Sequence, residues 1–158
     1  MQHIVNISDA KVSGSASDTI ITYSLGSCIG VIAYDAALPV AGMLHFQLPS
    51  SSLDAARAAK APLMFGDTGL EHLIRLMELA GSKKTRIKVK LAGGAKMFED
   101  NATFDIGKRN HTSIRKALWQ HGLFVENEDV GGNQPRTISI NVASGDVVMK
   151  RGGESFSL

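Results

Sequence analysis

Runs of β-branched and aromatic residues bounded by turn chemistry fill the opening third of the chain. His3–Ile7, Thr19–Tyr23, Ile29–Tyr34 and Val40–Leu48 read as strands, with turns at Ser13-Gly14-Ser15 and Asp35–Pro39. After a polar, alanine-rich connection over Ser50–Lys60 the period changes from two to about 3.6. Leu70, Leu73, Ile74, Met77 and Ala80 share one helical face. Asp67 or Thr68 is placed to cap that helix, Glu71 to close a capping box with Thr68, and Gly81 to end it. Arg86–Leu91 alternates as a half-buried strand and runs into Ala92-Gly93-Gly94-Ala95. A second helix, from about Lys108 to His121, turns Ile114, Ala117 and Leu118 inward before Gly122. Leu123–Glu126 reads as a short strand, Asp129–Asn133 as a loop, and Thr137–Val142 with Val147–Lys150 as a hairpin around Ser144-Gly145. Strands grouped at the ends with two helices between them predict an α+β fold. The expected form is a layered α/β/β sandwich with mostly antiparallel sheets and the two main helices packed on one face.

Composition narrows the class without changing this picture. The 158 residues are 44% hydrophobic and 20% charged, enough for a single domain over 1–158 with one substantial core. Seventeen Lys and Arg against fifteen Asp and Glu leave a net charge of +2, and the basic residues are scattered, which gives no argument for nucleic acid. The first residues lack a basic region followed by an apolar one, and no stretch is long enough to insert in a membrane, so the expected location is cytoplasmic. One cysteine rules out an internal disulfide.

That cysteine, Cys28, lies in Leu25-Gly26-Ser27-Cys28-Ile29-Gly30, a glycine-flanked break between two strands. Small neighbours let a substrate amide approach sulfur, and a neighbouring imidazolium would raise the thiolate fraction of a thiol whose ordinary pKa is about 8.5. His45, one turn later in the chain, is the candidate base. Thr22, at the end of the preceding strand, is the candidate to orient the imidazole. Backbone amides around Gly26, Ser27 and Cys28 are the candidate oxyanion donors. Alternation puts His45 on a mixed face with Met43 and Gln47, opposite a core-like Leu44, Phe46 and Leu48. From the residues alone a second reading of Cys28 stands, as a buried packing thiol, the commoner fate of a free cysteine. No two histidines are spaced as metal ligands with a second soft donor, so neither metal nor cofactor is expected. His121 fits a helix C-terminus, while His3 and His111 have no evident partner. Gly93-Gly94 and Gly131-Gly132 lack a phosphate-binding pattern and read as tight turns. Met97 and Phe98, beside the first pair, suit an exposed partner surface, with a core position as the alternative for Phe98.

Several of these stretches, in order, resemble the chemoreceptor glutamine deamidase family, CheD. Leu25–Val31 with Tyr34-Asp35 is similar to the family's cysteine motif, and Ala41–His45 with Leu48-Pro49 to its histidine motif. Ala92–Phe98, Ile106–Asn110 and Asp129–Gly132 through Arg136 are similar to its later motifs. The resemblance implies Cys28 as nucleophile, His45 as base and Thr22 as orienting residue. It implies cofactor-free hydrolysis of glutamine side-chain amides on the cytoplasmic helical domain of chemotaxis receptors, giving glutamate and ammonia. It also implies a second partner, a CheC-type phosphatase. Two rival classes stand beside it: another cysteine amidohydrolase, which shares the same residues, and a non-catalytic adaptor that keeps the fold to regulate that phosphatase. Intact Cys28 and His45 disfavour the adaptor.

Overall fold

The apolar positions of the β segments divide between two stacked sheets. The computed structural model describes residues 1–97 and 105–158. In chain order the elements are β1 (Gln2–Ile4), β2 (Asp9–Ser13), β3 (Thr19–Leu25), β4 (Ile29–Asp35), β5 (Val40–Phe46), α1 (Ala55–Lys60), α2 (Gly66–Leu79), β6 (Lys88–Gly93), α3 (Ile106–Gln120), β7 (Val125–Val130), β8 (Arg136–Asn141), β9 (Val147–Arg151) and β10 (Glu154–Ser157). One sheet has the order β1-β3-β8-β9-β10 and the other β2-β5-β4-β6-β7. Pairing is antiparallel except for β1 with β3 and β6 with β7.

Both faces of the second sheet are covered. Leu70, Leu73, Ile74 and Met77 of α2 and Ile114, Ala117 and Leu118 of α3 pack on Val31, Leu44, Phe46, Val89 and Leu91. The opposite face meets the first sheet through Ile20, Leu25, Ile32, Met43, Ile138, Ile140, Val147 and Met149. The layers are therefore helices, sheet, sheet, which is the α/β/β arrangement predicted from the pattern. Apart from Ala117, each of these side chains contributes about 1.5–3 kcal/mol on burial. Among the described residues no helix is long and apolar enough to cross a membrane.

The differences from the sequence reading lie mainly at edges and caps. β2 and β10 sit on sheet edges and are short: each offers at most two inward apolar side chains, Ala10 and Val12 in β2 and Phe156 in β10, too few to mark a strand by period. β7 extends through Asp129 and Val130, which read as loop, because parallel pairing with β6 supplies their backbone partners. The Thr68 capping box does not form. α2 starts at Gly66, Thr68 lies inside its first turn and donates to Pro62 O, and Asp67 accepts from Ser51. The mixed face of β5 is not exposed either: His45 is 1% accessible, covered by the first sheet.

Candidate active site

The loop carrying Cys28 is held by its carbonyls. β3 is irregular between Thr22 and Leu25, with Ser24 in the left-handed region at φ 57°, and the chain bends through Gly26, Ser27 and Cys28 before β4 begins. Gly26 O accepts from the Ala95 amide at 2.9 Å and Cys28 O from the Gly94 amide at 2.8 Å. Ser27 O accepts from Asn110 Nδ2 at 2.9 Å. The Gly93-Gly94 pair is thus more than a turn, since a Cβ at Gly93 would overlap the Cys28 carbonyl oxygen, and its φ of 112° is foreign to L side chains. Gly93→Ala is expected to cost more than about 3 kcal/mol, read as a large fall in Tm. Gly131→Ala is the control: φ is 85° but nothing lies within 4 Å of its would-be Cβ, so the expected loss is about 1 kcal/mol. Similar falls for both variants would refute the backbone clash.

His45 is fixed from the first sheet. Its Nδ1 lies 2.8 Å from Thr22 Oγ1, which is itself 2.7 Å from Val5 O. A hydroxyl has one proton, and a carbonyl can only accept. Thr22 therefore donates to Val5, and His45 Nδ1–H donates to Thr22. The neutral ring then carries its lone pair on Nε2, which is buried and has no hydrogen-bond partner among the described residues. The thiol of Cys28 does not donate to it in this structure. Cys28 packs against the same inter-sheet layer, two residues before Gly30, the register partner of His45. On a regular antiparallel pair such diagonal neighbours are about 7–8 Å apart. Thus Thr22 and His45 are joined directly, and Cys28 lies on their side of the sheet.

Electrostatics makes the resting pair neutral. Burial pulls His45 down to about 4 from an ordinary 6.5, with the Asp9 carboxylate opposing weakly. Burial also pushes the Cys28 thiol up, opposed by its own backbone N–H. Each group is therefore neutral at rest, a thiol and an imidazole instead of the expected imidazolium, because neither charge is hydrated here.

The remaining predicted residues are placed as follows. Gly26 and Ser27 form the bend, but the space beside Gly26 is filled by Met97, whose Cγ and Sδ would lie 3.2 Å from a Cβ there. Met97 is half-buried as a wall of the cysteine loop, not an exposed side chain; Phe98 lies outside the described residues. His3 and His111, which lacked a partner in the sequence, meet Asp18 at 2.6 Å and Glu128 at 2.9 Å. His121 contacts Lys84 Nζ through Nδ1, and burial followed by the Lys84 charge lowers its pKa, so it is not a dipole-bound cation. Among the described residues no three His, Cys, Asp or Glu side chains group as a metal site. Two grooves of about 560 Å³ each lie elsewhere, one along α3 beside Pro49 and Leu53, the other beside Asp35 and Phe124.

Two residues given no individual role by the sequence reading stand next to the loop. Arg136, 3% exposed, donates to Asp129 at 2.8 Å and to Gly93 O at 3.3 Å, clamping the glycine strip. Burial would raise the Asp129 carboxyl, but the bonds from Arg136 and Arg151 outweigh it and hold the group below the usual range. Asn110 is fully buried and joins Ser27 O to Gln47 O. Its signal was available: Gly107, Asn110, Ile114, Ala117 and Leu118 share the buried face of α3, and a lone amide in that stripe needs a partner.

Residues 47–151 match the family model described as CheD chemotactic sensory transduction, a span that begins after Thr22, Cys28 and His45. Full-length relatives extend the similarity to them. A protein of Solibacter usitatus, described as a "probable chemoreceptor glutamine deamidase CheD", is 40% identical over 157 residues, 99% of this chain and 93% of its own. A protein of Syntrophus aciditrophicus with the same description, numbered 1, is 41% identical over 95% of this chain and 94% of its own. One from Methanococcus maripaludis, likewise described, is 34% identical over 96% of this chain and 97% of its own.

Proposed function

The chain belongs to the CheD family and is a chemoreceptor glutamine deamidase, and we propose that it removes the amide through a thioester on Cys28, with His45 as base and Thr22 as its orienting partner. The observation that carries this reading is the Thr22 hydroxyl seated between Val5 O and His45 Nδ1. The hydroxyl proton of Thr22 is committed to Val5 O, so the imidazole is held as the Nδ1–H tautomer, its buried Nε2 has no hydrogen-bond partner among the described residues, and Cys28 packs against the same inter-sheet layer.

The reaction follows. As Cys28 sulfur attacks the glutamine carboxamide carbon, its proton passes to His45 Nε2 and the carbonyl π electrons move onto oxygen. Backbone N–H groups of the bend stabilise that oxyanion. The imidazolium returns the proton to nitrogen, the C–N bond breaks, and ammonia leaves a thioester. Water then adds, giving its proton to Nε2; the C–S bond breaks, and the thiolate regains a proton from the imidazolium. The sum is glutamine and water to glutamate and ammonia. Thr22 keeps Nε2 unprotonated at rest and holds Nδ1–H when the ring is charged.

The same reading takes the cytoplasmic helical domain of the receptors as substrate, with the reaction in the cytoplasm, where an unpaired cysteine stays reduced. A CheC-type phosphatase is the second partner in this reading. Mass spectrometry of a receptor cytoplasmic fragment tests the core of it: each converted glutamine gains about one dalton as NH₂ becomes OH. No gain with the wild-type chain would overturn the reading.

Thr22→Val removes the acceptor for Nδ1–H at nearly constant shape. The ring is then free to move its proton to Nε2, and kcat is expected to fall about 10²–10³-fold. Thr22→Ser, which keeps the hydroxyl, should retain most of the activity. Steady-state deamidation kinetics decide this, and equal rates for Val and Ser would remove Thr22 from the mechanism.

A further inference from the structure

The pairing of β4 with β5 stops at Ile29 opposite Phe46. Beyond it the bend leaves the Ser27 and Gln47 carbonyls without a strand partner, and Asn110 supplies both. Its Nδ2 lies 2.9 Å from Ser27 O and 3.1 Å from Gln47 O. Both neighbours are acceptors, so the nitrogen must face them and the amide cannot be turned over. Oδ1 is then left buried with no hydrogen-bond partner among the described residues. Both of these hydrogen bonds leave from the donor end of the side chain, which is where the demand it meets lies.

That demand is geometric. In a trans peptide the C=O and the following N–H point in opposite directions, and the chain has no cis bond among its described residues. Asn110 holds Ser27 O on the α3 side of the sheet, which turns the Cys28 N–H away from α3, toward the inter-sheet side where the Cys28 side chain packs. We propose that Asn110 is a positioning residue that aims the Cys28 amide N–H at the developing oxyanion by fixing the Ser27 carbonyl across the same peptide plane. The flanking carbonyls, of Gly26 and Cys28, are held by the backbone amides of Ala95 and Gly94. Of these three carbonyls, Ser27 O is the one held by a side chain among the described contacts. The Cys28 N–H also favours negative charge on its own sulfur, which puts that donor beside the reacting atoms.

This rests on the thioester reading, and it is tested by comparing two reactions of the same sulfur. Deamidation passes through an oxyanion, whereas alkylation of Cys28 by iodoacetamide is displacement at a methylene carbon and forms none. In the full chain, Asn110→Ala is expected to lower kcat for deamidation about 10²–10³-fold with KM nearly unchanged, the loss of one oxyanion donor. Alkylation should fall far less, by about tenfold at most, since the base is untouched and only the help that the Cys28 N–H gives its own sulfur is lost. Asn110→Ser, which retains one donor, should fall between the wild type and Asn110→Ala. Parallel losses in deamidation and alkylation, a loss of kcat matched by loss of folded protein in thermal unfolding, or unchanged kcat would each overturn the proposal. If Asn110→Ala is unfolded at the assay temperature, Asn110→Ser decides. If both are unfolded, the side chain holds the fold and not one peptide, and the proposal fails. Deamidation retained by Cys28→Ala would instead remove the thioester reading itself.

Discussion

Cys28→Ala is expected to abolish deamidation, by about 10⁴-fold or more, while the protein stays folded. The substitution removes one sulfur from a loop whose position is set by the backbone: the carbonyls of Gly26, Ser27 and Cys28 keep their partners in Ala95, Asn110 and Gly94 whatever side chain follows the Cys28 Cα. Cys28 is half-buried against the inter-sheet layer, so the lost packing is small beside that of a core leucine. Cys28→Ser should be nearly as inactive. With a base that burial holds at about 4, an alcohol is far harder to deprotonate than a thiol. The measurement is mass spectrometry of a receptor fragment with thermal unfolding alongside. Turnover in Cys28→Ala at even a tenth of the wild-type rate would sink the proposed chemistry. The wild-type thiol should also alkylate more slowly at pH 7 than an exposed cysteine, because burial raises it. A paired thiolate would do the opposite.

How much of this was legible in the chain depends on the reach of each interaction. The helices were readable because Leu70, Leu73, Ile74 and Met77, and Ile114, Ala117 and Leu118, carry their own period. The central strands were readable because β4 and β5 are apolar on both faces and β3, β8 and β9 alternate with one buried face, whereas the edge strands β2 and β10 are short and carry polar residues that any loop also carries. At the site, Cys28 and His45 stood out by residue type and by the one turn between their strands. The tautomer did not. It depends on Val5 O, 17 positions before Thr22, reached through the parallel pairing of β1 with β3 that no local pattern announces. Asn110 bonds to Ser27 across 83 positions, and Gly93 touches Cys28 through the pairing of β4 with β6. Such contacts follow from topology. Periodicity can say that Asn110 is buried, but not what it holds.

The largest effect after loss of the nucleophile belongs to His45. His45→Gln keeps an amide in place of the ring but cannot accept a proton near neutral pH, and kcat is expected to fall about 10³-fold. The pH profile carries the more specific test. The base works when neutral, so activity must fall as pH drops through its folded pKa; with burial holding His45 at about 4, the acid limb lies near pH 4. An exposed histidine would put it near 6.5. The same shift acts on stability with a definite sign. The folded pKa is depressed, so between pH 6.5 and 4 the unfolded chain binds the proton that the folded one refuses. The contribution is fully present above the unfolded value and is lost as pH falls through the folded one, about 3 kcal/mol in all for a shift of this size. Lowered carboxylates such as Asp129, Asp35 and Asp18 add losses of their own in more acidic solution, so the comparison belongs above pH 4.5 and between proteins. Urea unfolding at pH 7, 5.5 and 4.5 should show the wild type losing more stability than His45→Gln over that interval, and the wild-type kcat should remain on its plateau at pH 5.5. An acid limb near 6.5, or parallel stability curves for the two proteins, would mean that His45 is neither buried nor neutral in the way its contacts with Thr22 and the first sheet require.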